Sequence, residues 1–208
     1  KNYIKKNNEH LLFSKNNRVQ SRSKILAKII LKNVRSENLK ILEIGCGKGN
    51  LLNELLINTK NSKFYGYDIG DYSSFSIFKK KNITFIDKNI YNFKEKGFDL
   101  IVVSHALNYF LNPKKEIEKY KKIINKDGLI IFIIPDISKN IFYTLMSDQK
   151  TVFTKHSIKY FLYQNNLSCR FIKNNTLARE IICISKIFKN KAYLSRKKDN
   201  TINKNLLK

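Results

Sequence analysis

The chain has 208 residues, enough for one domain with a continuous core, and its 42% apolar content is normal for a globular protein. No run approaches the ~18 apolar residues of a membrane span, and the first residues are polar rather than a signal peptide. The formal charge is +25, but lysines recur from Lys1 to Lys208 and only six of the 41 basic residues are Arg, the residue suited to planar phosphate recognition. Charge therefore leaves nucleic acid open as a partner without favouring it. Lys, Asn and Ile dominate the whole chain, as expected from an AT-rich genome. Cys46, Cys169 and Cys183 are not spaced for a metal site or a disulfide framework, so no metal is expected and a reducing, cytoplasmic setting is. The first residue is Lys rather than Met, which leaves a removed leader open.

Residues 1–22 form a basic arm, expected either as a helix over the cleft or as loose chain. A domain follows over residues 23–188, and the basic, polar residues 189–208 are expected to be disordered. Ile25, Leu26, Ile29, Ile30 and Val34 recur at helical spacing, which predicts a helix over 23–34. Lys40–Ile44 reads as a buried strand and Asn50–Thr59 as the helix after it. Between them lies Gly-Cys-Gly-Lys-Gly. Gly45, Gly47 and Gly49 permit positive φ and clear the backbone for a ligand. The sixth position from Gly45 is Asn50, so the dinucleotide pattern fails, and Lys48 lacks the following Ser or Thr of a P-loop. Glu43, two residues before the first glycine, would repel a pyrophosphate and attract a cation.

Lys63–Asp68 reads as the second strand. It ends in an acid 23 residues after Gly45, where αβ nucleotide-binding folds place the acceptor of ribose hydroxyl bonds. A short helix is expected between Asp71 and Lys81, then strands at Ile83–Ile86 and Phe98–Ser104. Asn112 and Pro113 mark a helix start, with Ile117, Tyr120, Ile123 and Ile124 as its buried face. Lys126-Asp127-Gly128 closes that helix ahead of a strand over Leu129–Ile134. Residues 136–150 show no clean periodicity. A helix over Ser157–Asn165 and two strands, Cys169–Lys173 and Glu180–Lys186, complete the chain.

Glu-x-Gly-x-Gly-x-Gly with Asp68 and the Phe98-Asp99-Leu100 strand leading to Asn112-Pro113 resembles the class I S-adenosylmethionine-dependent methyltransferases, over roughly residues 39–186. The resemblance implies a doubly wound, Rossmann-like α/β sheet of seven strands, the last antiparallel, with helices on both faces. It implies S-adenosylmethionine as cofactor and S-adenosylhomocysteine as product. Glu43 would lie near the methionine ammonium, Gly45, Cys46, Gly47 and Gly49 would form the cradle, Asp68 would stand at the ribose, and Ile69 would also contact the cofactor. Asn89 and Ile90 would face the adenine, although the family's usual Gly-Asp-Ala there is replaced by Lys88-Asn89-Ile90. Ser104 would line the crevice. In the family, residues 136–150 often cover the substrate pocket.

Methyl transfer from a sulfonium is an in-line displacement that needs positioning above all, and a base only when the acceptor keeps its proton. His105, at the end of the fourth strand, is the candidate base; the other reading is a ring that merely lines the pocket. Tyr109, Tyr143 and Asp136 are further pocket candidates. The expected function is transfer to a small-molecule acceptor such as a sugar, lipid or metabolite hydroxyl. The alternatives are an RNA or protein methyltransferase using the basic surface, and a non-catalytic scaffold. The Asn/Asp-Pro-Pro-Tyr tetrad of base-amino methylation is replaced by Ser104-His105-Ala106-Leu107, and the charged, glycine-lined cleft counts against a scaffold.

Overall fold

The structure is a computed structural model and describes residues 5–6, 9–13, 19–34, 37–86 and 94–188. The arm enters as strands rather than a helix. β1 (Lys5–Lys6), β2 (Glu9–Phe13) and β3 (Val19–Ser21) form a small antiparallel sheet in that order. Two adjacent leucines cannot make a helical stripe, whereas a strand turns Leu12 alone onto the main core. The tail over 189–208, and the expected disorder there, lie outside the described residues.

The helix α1 (Arg22–Leu31) begins where the Ser21 hydroxyl accepts the Lys24 N–H, and it buries Leu26, Ala27 and Ile30. After it come β4 (Lys40–Ile44), α2 (Asn50–Ile57), β5 (Lys63–Tyr67), β6 (Ile83–Ile86) and β7 (Phe98–Ser104). α3 (Pro113–Ile123) is capped by Asn112, whose side chain accepts the Lys115 N–H, with Pro113 in the first turn. β8 (Ile124–Pro135), α4 (Lys155–Gln164), β9 (Arg170–Phe171) and β10 (Glu180–Ser185) close the domain. At α4, Thr154 and Ser157 cap each other reciprocally.

The main sheet has seven strands in the order β6-β5-β4-β7-β8-β10-β9. Strands β4 to β8 run parallel, and β10 pairs antiparallel with both β8 and β9. This is the expected Rossmann-like arrangement. The order reverses between β4 and β7, and in such sheets the ligand crevice opens at the carboxyl ends of the strands flanking that point.

Alternation along the strands sorts the core into two layers. Leu42, Ile101, Val103, Ile130 and Phe132 face α3 and α4, with Ile117, Tyr120, Ile158 and Leu162 above them. Ile41, Leu100, Val102, Ile131, Ile133, Ile182 and Ile184 face α1 and α2, packed by Leu26, Ile30, Leu52 and Leu55. That parity matters for the site, because Glu43 shares the face of Ile41 and Glu180 the face of Ile182.

Besides shifts of a few residues at other element ends, two predicted elements differ in form. The helix expected between Asp71 and Lys81 is a single 3₁₀ turn, Ser76–Lys79, which buries only Ile77. β8 starts at Ile124, directly after α3, and the expected Lys126-Asp127-Gly128 turn is an irregularity within it: Phe98 pairs with Ile124 and Leu100 with Leu129. Gly128 fits there because a Cβ would lie 2.9 Å from the Phe98 carbonyl oxygen. Ile101, fully buried at the centre of β7, tests the core. Ile101→Ala should lower unfolding free energy by about 2–5 kcal/mol, read from denaturant midpoints.

Candidate active site

The turn between β4 and α2 is pressed against the end of β7. A Cβ on Gly45 would collide with the Ser104 carbonyl oxygen and lie 3.0 Å from the Ala106 Cβ, so only glycine allows this approach; its φ is +78°. The Gly45 and Cys46 amides donate to the Tyr67 carbonyl at 2.8 and 3.1 Å, which ties the turn to the end of β5. Asp68 completes the tie: Oδ2 accepts the Gly47 N–H at 2.8 Å and Oδ1 the Gly70 N–H at 3.1 Å. Each oxygen keeps a further acceptor site. A Cβ on Gly47 would meet nothing within 4 Å, so this part of the turn faces open space. Gly49, with φ +76°, precedes α2 and packs on Ile77.

Glu43 is 2% exposed, and its Oε2 is buried without a hydrogen-bond partner. Burial raises its carboxyl well above the usual range; the Arg22 charge and the Leu52 amide oppose this, and Asp68 adds to it. Cys46 is buried beneath the turn, and burial, with Glu43 and Asp68 nearby, pushes its thiol strongly upward, so it is a packing residue held protonated. Ser104 is buried at the end of β7, and Ile69 projects into solvent, 99% exposed. Asn89 and Ile90 lie outside the described residues. Among the described residues no cluster of His, Cys, Asp and Glu could hold a metal ion.

His105 follows β7 with φ +49°, a left-handed conformation that His enters more readily than most residues and that turns the chain out of the sheet. Its N–H donates to the Ile133 carbonyl at 2.8 Å. The ring is 38% exposed, yet Nε2 is shielded from solvent and lies 3.5 Å from Glu180 Oε2, an ion-pair distance without hydrogen-bond alignment. Arg22 grips Glu180 at both oxygens, Nε to Oε1 at 2.6 Å and Nη2 to Oε2 at 2.9 Å. Burial would raise the Glu180 carboxyl, but His105 and Arg22 more than reverse that and bring it down to about 2.

Neither Arg22 nor Glu180 stands out in the sequence. Each begins an element, and 158 positions separate them. The available signal is strand parity together with Ser21 as a helix cap: the first places Glu180 beneath α1, the second makes Arg22 the first helical residue. Tyr109 is exposed at the mouth, and its hydroxyl is pushed upward by partial burial, then by Asp148. Asp136 is buried but occupied, its Oδ1 accepting the Ser138 N–H and hydroxyl. A separate cleft of about 490 Å³ on the outer side of α1, lined by Lys28, Lys32, Lys173 and Thr176 among others, contains none of the glycine-turn residues. The open backbone and the buried charges are elsewhere.

The two glutamates have opposite effects on stability. Glu180, depressed to about 2, stabilises the fold above the ordinary glutamate range near 4.5, and that contribution of on the order of 3 kcal/mol is lost as pH falls through the folded value. Glu180→Gln should flatten the decline of unfolding free energy between about pH 4.5 and 2. Glu43, raised, favours the fold at low pH and opposes it as pH rises above 4.5. Glu43→Gln should therefore raise the melting temperature of the ligand-free protein at pH 7.

Residues 17–179 match the family described as "Methyltransferase domain". A release factor glutamine methyltransferase of Flavobacterium psychrophilum is 28% identical over 122 residues, spanning 55% of this chain and 42% of that protein. The chain thus spans under half the length of that relative. Among solved structures, the mitomycin 7-O-methyltransferase MmcR superposes with a TM-score of 0.67 at 11% identity, over 80% of this chain and 54% of that one. An S-adenosylmethionine-dependent methyltransferase from Clostridium acetobutylicum superposes with a TM-score of 0.59 at 16% identity, over 79% and 89%. At these identities the superpositions speak for the fold, while the family match covers most of the chain. No helix among the described residues is long and apolar enough to cross a membrane. The chain belongs to the methyltransferase-domain family, and its domain is of the class I, S-adenosylmethionine-dependent kind.

Proposed function

We propose that the protein transfers a methyl group from S-adenosylmethionine to a hydroxyl on a small molecule, such as a sugar, lipid or metabolite. The observation that carries this reading is the buried, unpartnered Oε2 of Glu43 at the head of an open glycine turn. An orphaned buried acceptor calls for a donor, and the cofactor's ammonium is both donor and counter-charge. Gly45, Cys46, Gly47 and Gly49 form the cradle, Asp68 offers its free acceptor sites to the ribose hydroxyls, and Ser104 lines the wall toward the acceptor. Ile69, exposed directly after Asp68, offers the cofactor an apolar contact.

When bound, the cofactor supplies a methyl carbon on a positively charged sulfur, open to in-line displacement. This chain's residues hold the acceptor oxygen in line, and His105 takes its proton. The position of His105 supports the role: the glycine turn meets the end of β7 at Ser104, one residue away. A hydroxyl needs such help because it is a poor nucleophile while protonated. Exposed Tyr109, Phe142, Leu145 and Met146 belong to the segments after β7 and β8 and suit an acceptor with an apolar body.

The release factor relative favours a second reading, a protein acceptor. Against it, Ser104-His105-Ala106-Leu107 offers a base for a hydroxyl and no Pro-Pro-Tyr platform for a planar nitrogen. Label transferred from methyl-labelled cofactor into the small-molecule or the protein fraction of an extract separates the two.

Calorimetry should detect binding of both S-adenosylmethionine and S-adenosylhomocysteine. No heat and no thermal shift with either at millimolar concentration would end the proposal. Asp68→Ala should weaken both by about 1.5–3 kcal/mol, the worth of hydrogen bonds to an ionised group. His105→Ala should lower the methylation rate by roughly 10²–10⁴ while leaving homocysteine-product affinity nearly unchanged.

A further inference from the structure

We infer that Glu180, held in place by Arg22, is a positioning residue that fixes which nitrogen of His105 accepts the proton. The inference rests on the reading of His105 as the base. His105 Nε2 is shielded from solvent and faces Glu180 Oε2 at 3.5 Å, while the ring as a whole is 38% exposed. Even without hydrogen-bond alignment, the negative charge 3.5 Å away favours a proton on Nε2, because an N–H beside a carboxylate is lower in energy than a lone pair. The lone pair then sits on Nδ1, and Nδ1 is the basic atom. As the acceptor's oxygen–carbon bond forms and the carbon–sulfur bond breaks, the hydroxyl proton passes to Nδ1. The imidazolium so formed lies against the Glu180 carboxylate and later releases its proton to water.

Arg22 keeps that carboxylate aimed and ionised. Its two bonds fix both oxygens of Glu180, whose side chain is only 11% exposed. The charged groups around His105 can be named element by element. Glu180 comes from β10 and Arg22 from α1. Glu43 on β4 feels the charges of Arg22 and of Asp68 after β5, and Asp136 after β8 is occupied by Ser138. The Coulomb effects of the first two on the imidazole have opposite signs. Removing the Glu180 charge makes the imidazolium less favourable, and removing the Arg22 charge makes it more so.

Diethyl pyrocarbonate, which attacks only the neutral imidazole, reads this without any methyl acceptor. The sequence has three histidines, so mass spectrometry can follow His105 separately, with His10 and His156 as internal references. At pH 6, His105 of full-length Glu180→Gln should react about two- to fourfold faster than in wild type, and that of Arg22→Gln more slowly than in wild type. Long-range ¹H–¹⁵N spectra of the wild type above pH 8 should show Nδ1 as the unprotonated nitrogen. Equal rates in all three proteins, rates shifted in the same direction, or an unprotonated Nε2 would overturn the assignment. If a variant does not fold, the wild-type spectrum still decides. Homocysteine-product binding is measured on the same samples. Its absence in the wild type refutes the proposed function, whereas its presence with unchanged His105 reactivity refutes only the role of Glu180.

Discussion

The mouth of the sheet depends on one close approach, that of the Gly45 backbone to the end of β7. Any side chain at Gly45 would strike the Ser104 carbonyl and crowd Ala106, so the turn and the strand end would part. Two tasks hang on that contact. It sets the turn beside His105, the residue that follows Ser104. It also leaves Gly47 facing open space, with the Gly45, Cys46 and Gly47 amides already engaged by Tyr67 and Asp68. The loop is therefore organised before any ligand arrives, which limits the entropy lost on binding.

Around this contact, charge is distributed unevenly. Arg22 bonds both oxygens of Glu180 and acts on Glu43 through charge, and Glu43 keeps an oxygen without a partner among the described residues. The carboxyl shifts follow that inequality, Glu180 going down to about 2 and Glu43 well up. A carboxyl that opposes the fold at neutral pH is costly to retain, and the cost is offset once a cation binds beside it. The ligand-free domain thus stores part of its ligand selectivity as instability at Glu43.

Most of the fold was legible because β4, β6 and β7 are bounded by turns and nearly uniformly apolar, and because Asn112-Pro113 announces α3. The arm was not, since β1 to β3 draw their order from pairing with one another and from Leu12 reaching the core. β8 was misjudged at its start because Lys126-Asp127-Gly128 has turn composition yet is absorbed as an irregularity in pairing with β7. At the site, the glycine turn and Asp68 carried local signals. Arg22 and Glu180 carried only the indirect signals of a helix cap and strand parity: their importance comes from a pairing across 158 positions that the fold creates.

The same geometry resolves an apparent conflict between the chain's charge and the class of ligand. A formal charge of +25 would suit a phosphate, but the acids at the glycine turn are Glu43 and Asp68, and the nearby Arg22 is paired with Glu180. Lysines at the outer surface are screened beyond about 10 Å at ordinary ionic strength, whereas a buried carboxylate within the cleft is not. The field a ligand meets at the turn is therefore set by the acids. A pyrophosphate would be repelled there, whereas a cofactor carrying an ammonium and a sulfonium would be drawn in and lose that attraction at sulfur once the methyl group has left. The local acidity would thus hold the charged sulfonium more tightly than the neutral thioether, which eases departure of the product after transfer.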